Sequence, residues 1–105
     1  MQEPKFKDPD NQKTWVGFKA RMNEKKKEIL AVIQQGSKDA ARKAWANLNL
    51  EKKSALEHAE QAVHSAVYVK GYDGPTLETL HKCQAEFCDE IIREVEPQLR
   101  KKGWL

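Results

Sequence analysis

The chain has 105 residues, 33% charged and 39% hydrophobic, which gives one domain with a small core and too much apolar periodicity for a disordered chain. Its formal net charge of +3 is a split: residues 1–53 carry 13 Lys/Arg against 7 Asp/Glu, a net of +6, and residues 54–105 carry 6 against 9, a net of −3. Two cysteines exclude a disulfide framework, no apolar run is long enough for a membrane span, and the opening Met-Gln-Glu-Pro-Lys-Phe is not a signal peptide, so a reducing, cytoplasmic setting is expected.

Residues 1–10 hold two prolines and mixed charge, and they read as a flexible arm ahead of a single helical domain, 11–105. A first helix is expected over about 11–35. Asp8 or Asp10 caps it, and Trp15, Phe18, Met22, Ile29, Val32 and Ile33 form its apolar stripe. The stripe has a gap at Lys25. Lys25, Lys26 and Lys27 wrap most of a turn there, so at least one lysine lies at the stripe's edge with its stem over apolar surface. Gly17 offers room for another backbone, and Gly36 stops the helix.

Ser37 opens a short second helix, about 38–47, with Ala41, Trp45 and Leu48 along one face. Asn47 and Asn49 interrupt it, and Asn49 reads as the N-cap of a third helix, about 50–70. One helix over 38–70 is the alternative. Its continuous stripe would put Lys52 on the apolar face, which favours the break. The third helix carries Ala55, Ala59, Ala62 and Ala66. Small residues at this spacing admit a close neighbour, either another helix of the chain or a second copy in a homodimer through the alanine face. Residues 71–75 mark a turn. A fourth helix is expected over about 75–102, with Leu77, Leu80, Phe87, Ile91 and Val95 as its stripe. Pro97 kinks or ends it before a final turn. The expected fold is all-α: a small bundle of three long helices plus one short helix (about 11–35, 38–47, 50–70 and 75–102).

A phosphate loop, a nucleophile elbow and an HExxH pair are all missing from the sequence, so neither an enzyme nor a cofactor is expected. Glu78-Thr-Leu-His81 is half of the carboxylate di-metal pattern of helical bundles, which makes metal binding through Glu78 and His81 a remote alternative. Cys83 and Cys88 stand five residues apart and point about 140° away from each other on one helix, so they do not pair.

Nucleic acid is the stronger alternative ligand, because the basic half lies in the first two helices. Trp45-x-x-Leu48 followed by Glu51-Lys52-Lys53, Leu56-Glu57 and Ala59 resembles the junction of the second and third helices of HMG boxes. The resemblance spans at most residues 12–71 and implies an L-shaped minor-groove binder. The fourth helix has no counterpart in that family, and the N-terminal arm is mixed in charge instead of basic.

The preferred reading is a small non-enzymatic binding module, a regulator, adaptor or inhibitor working through protein–protein contacts. Its core is expected to hold Trp15, Phe18, Trp45, Phe87 and Ile91. The candidate contact residues are Lys25, Lys26, Lys27, Lys38, Arg42 and Lys43 on the basic edge, and Arg100, Lys101 and Trp104 near the C-terminus. Basic residues around a tryptophan anchor suit a protein partner with an acidic surface.

Overall fold

A computed structural model describes residues 3–65 and 74–105, with side chains for 3–62 and 77–105. Three helices account for nearly all of it: α1, Pro9–Gln35; α2, Lys38–Ser65; and α3, Gly74–Lys101. They pack side by side in an elongated bundle of 52 × 22 × 19 Å, and α2 against α3 is the most extensive interface. The all-α bundle is as expected, but the short helix expected over 38–47 is not a separate element: it is the first part of α2. The expected end of a helix at Lys70 and the turn at 71–73 lie outside the described residues.

The N-terminal arm departs from expectation. Asp8 caps α1, its Oδ1 accepting from Asp10 N at 2.8 Å and Asn11 N at 3.3 Å, with Pro9 at the first helical position. Gln12 Oε1 accepts from Phe6 N at 2.9 Å, and the Phe6 ring stands edge-on to Trp15, centroids 6.3 Å apart. Glu3 accepts from Trp15 Nε1 at 3.0 Å and pairs with Lys19. Residues 3–8 are therefore fastened along the first turns of α1. The prolines and charges that suggested a loose arm instead fit a strap closed by one aromatic contact and three polar ones.

The second correction concerns α2, which runs unbroken through Asn47 and Asn49. Neither asparagine ends a helix. Asn47 Oδ1 accepts from Lys25 Nζ at 2.8 Å, and Asn49 Nδ2 donates to Trp45 O one turn back, at 3.0 Å. Lys52 does lie on the packed side, where its Nζ is 2.8 Å from Asp89 Oδ1 of α3. A lysine is tolerated there because its stem lies along the interface and its charge is met by a carboxylate at the rim. The HMG-like reading needs a helix junction at these residues and an L-shaped body. Residues 45–59 are one helix, and the three helices lie alongside one another.

In α1, Trp15, Phe18, Met22, Ile29 and Ile33 are buried as the stripe predicted, while Val32 is only partly covered. α2 contributes Ala41, Leu48, Ala55, Ala59 and Ala62, all buried within the single chain. Ala55, Ala59 and Ala62 of the alanine face are thus spent on intramolecular packing, and a homodimer through them would first have to uncover them; Ala66 lies outside the described residues. α3 contributes Leu80, Ala85, Cys88, Ile91, Ile92, Val95 and Leu99. Pro97 does not end α3. It stands exposed on the outer face and the helix continues to Lys101. A Cβ on Gly17 would meet nothing within 4 Å, so no neighbouring backbone uses the space there.

The C-terminal ends of α1 and α3 use the same device. Gly36, at φ 79°, donates to Ile33 O at 3.1 Å while Ser37 N reaches Val32 O at 3.3 Å. Gly103, at φ 74°, donates to Arg100 O at 2.9 Å while Trp104 N reaches Leu99 O at 2.9 Å. This paired closure satisfies terminal carbonyls and needs a left-handed residue, hence glycine. Ser37 serves twice, since its carbonyl also accepts the first α2 bond from Ala41 N at 3.0 Å.

Candidate functional site

The α2–α3 register brings two chain-distant basic clusters together. Lys52 meets Asp89, and two turns on Trp45 Nε1 donates to Glu96 Oε1 at 3.0 Å. Seven residues back along α2 accompany seven forward along α3, as antiparallel helices require. A further step of seven takes Trp45 to Lys38 and Glu96 to Gly103. The start of α2 and the end of α3 therefore share one end of the bundle. Across residues 38–45 and 96–104 that end carries Lys38, Arg42, Lys43, Arg100, Lys101 and Lys102 against Asp39 and Glu96. Glu96 is already engaged by Trp45.

The nine residues expected to bind divide accordingly. Lys25 is turned inward between α1 and α2, 3.1 Å from Glu51 Oε1, where Arg21 also holds the carboxylate at 3.3 Å. Lys26 pairs with Glu94 across to α3. Lys27 makes only an exposed pair with Glu24 on its own helix at 3.4 Å. The lysine run of α1 thus mainly ties helices together and does not form one face with α2. By contrast Lys38, Arg42, Lys43, Arg100 and Lys101 are all exposed and make no ion pair with a described residue.

Trp104 is half-buried against the core, seated by the helix closure that bonds its N to Leu99 O. Lys102 Nζ lies 5.8 Å from its ring centroid. Trp104 therefore anchors the end of α3 to the bundle and stays partly exposed. Trp45 and Phe87, expected inside, are half-buried. The indole of Trp45 is drawn to the rim by its hydrogen bond to Glu96. Lys102, in the C-terminal run Arg100–Leu105 that the sequence offers as a contact surface, belongs to the cationic end as well.

Dipoles separate the two halves of this cluster. Arg100 and Lys101 sit in the last turn of α3, where a cation is favoured by the helix's negative end. Lys38 sits in the first turn of α2 and Arg42 and Lys43 in the second, near the positive end, where cations gain nothing from the helix. Helix stability does not account for them.

The chemistry elsewhere is quiet. Cys88 is buried with its Sγ 3.8 Å from Met22 Sδ, and burial, with Glu51 adding to it, pushes its thiol up to about 11. Half-buried Cys83 is also raised, again chiefly by burial. Neither is a poised nucleophile. Glu78, named with His81 in the remote metal-binding alternative, pairs with Lys82 at 2.6 Å, while His81 Nδ1 meets Gln84. Among the described residues no three His, Cys, Asp or Glu side chains converge to hold a metal, and no helix is long and apolar enough to cross a membrane. No protein-family model, curated protein or solved structure matches this chain, so a functional reading rests on the geometry of its cationic end.

Proposed function

We propose that the chain is a non-enzymatic helical binding module, acting as a regulator, adaptor or inhibitor by docking its cationic end on an acidic surface of a protein partner. The observation that carries this reading is the group Lys38, Arg42 and Lys43. These cations are exposed, make no ion pair with a described residue, stand near the positive end of α2, and are joined through the fold by Arg100, Lys101 and Lys102. Complementary charge at such a patch steers encounter and suppresses wrong partners. The backbone closures at Gly36 and Gly103 terminate the helices that carry the patch, so docking has chiefly its exposed side chains to order.

The test is a pull-down from the native host, with nuclease-treated and untreated extract, using the wild-type chain and a Lys38→Glu/Arg42→Glu/Lys43→Glu variant. Circular dichroism verifies that the variant folds, as exposed positions allow. A stoichiometric partner that survives nuclease and is lost by the variant is expected. Capture that disappears with nuclease, together with oligonucleotide binding that falls steeply with salt, would transfer the patch to nucleic acid. A partner retained by the variant would refute the use of this end.

A further inference from the structure

Well away from the cationic end, α2 and α3 each bring a histidine to the same level of the bundle. The His58 and His81 ring centroids are 5.4 Å apart, their planes tilted by 45°. His58 is exposed and His81 half-buried, so the pair faces water. Both rings border a cleft of about 270 Å³ that also contains Gln84 and Glu51.

Gln84 sets this pair apart from an accidental surface contact. It is the one polar side chain among the described buried residues, 8% exposed. Burying an amide is costly unless it is hydrogen-bonded. Its Oε1 is 2.9 Å from His81 Nδ1. A carbonyl oxygen only accepts, so Nδ1–H is the donor, and in the neutral form of the ring Nε2 is then the nitrogen with a free lone pair. Metal-ligating histidines are oriented in this way, with the second ring nitrogen held by a carbonyl or carboxylate.

The spacing agrees. With metal–nitrogen bonds of about 2.0–2.1 Å and the ring centre about 1.1 Å further on, two imidazoles on one tetrahedral ion have centroids about 5.2 Å apart. Of the charges near the cleft, Arg21 lies against Glu51, which Lys25 shares from outside the lining to leave one positive charge over, and Lys82 is paired with Glu78. At this water-facing rim a single surplus charge is screened.

We propose that His58 and His81 form a two-imidazole site for a divalent transition-metal ion of the zinc, copper or nickel class. His81 ligates through Nε2, Gln84 orients it, and water completes the coordination. Because the ligands come from different helices, the ion links α2 to α3, and binding to the folded state alone raises stability by mass action.

The experiment titrates zinc and nickel into the full chain by calorimetry and follows thermal unfolding with and without metal. One saturable site and a raised melting temperature are expected. His58→Ala and His81→Ala should each abolish both effects while the metal-free melting curve of exposed His58→Ala stays near wild type. Gln84→Ala should weaken binding about 10-fold or more. A Cys83→Ala/Cys88→Ala variant should bind as wild type does. Absence of a saturable site, or binding that survives in His58→Ala/His81→Ala, would overturn the proposal.

Discussion

Leu48 tests the continuity of α2 most directly. If the chain broke at Asn47–Asn49, Leu48 would stand in a link between helices and Leu50 would open the next one. In one continuous helix Leu48 is 1% exposed and Leu50 is 62% exposed. Leu48→Ala removes three carbons, and at about 0.8 kcal/mol per buried carbon the lost transfer free energy is about 2.4 kcal/mol. The cavity left behind raises the cost to about 3–4 kcal/mol. Leu50→Ala replaces an exposed residue by the best helix former and should lie within about 0.5 kcal/mol of wild type. Asn49→Ala discriminates further. As an N-cap it would cost about 1 kcal/mol. Inside a helix, the gain in propensity offsets the lost bond to Trp45 O, so the change should be near neutral. Urea unfolding followed by far-ultraviolet circular dichroism reads all three. With a slope of about 1–3 kcal/mol per molar, Leu48→Ala should lower the midpoint by at least about 1 M. A Leu48→Ala cost under about 1 kcal/mol, or an equal cost for Leu50→Ala, would refute the continuous helix.

Two further outcomes follow from side-chain environments. A thiol reagent should label Cys83 first and reach Cys88 only on unfolding, since Cys88 is buried and its thiol is raised to about 11; equal rates in the folded protein would contradict that packing. The Lys52 hydrogen bond holds the Asp89 carboxyl below its ordinary value, and Lys19 and Trp15 do the same for Glu3. A depressed folded-state value means stability that is complete above the unfolded carboxyl range and lost as pH falls through the folded-state values. Asp89→Asn should therefore flatten the fall in urea midpoint between about pH 5 and pH 2. An acid limb as steep as that of wild type would show that Asp89 does not contribute to it.

Local patterns in the sequence were enough to define α1 and α3. The apolar stripes, the Asp8-Pro9 start and the Gly36 stop each act within a turn or two of chain, and the structure keeps them. The break at Asn47–Asn49 failed because local asparagine preference was overruled by packing. Asp89, 37 positions from Lys52, supplies the charge that lets a lysine stay on the packed side of α2. The strap of residues 3–8 failed for the same reason: Glu3 reaches Trp15 and Lys19, contacts that lie beyond a local window.

The order of apolar and charged residues along the chain was enough for an all-α reading with a basic first half, because periodicity and local charge are properties of neighbouring residues. It did not determine where those charges end up. Lys25 and Lys26 read like Lys38 and Arg42 in the sequence, yet the fold spends the first two on carboxylates of other helices and leaves the second two exposed. Antiparallel register, a tertiary property, brings Arg100–Lys102 beside Lys38 and His81 beside His58. Helix pairing joins residues dozens of positions apart, and both candidate surfaces of this protein come into being only there.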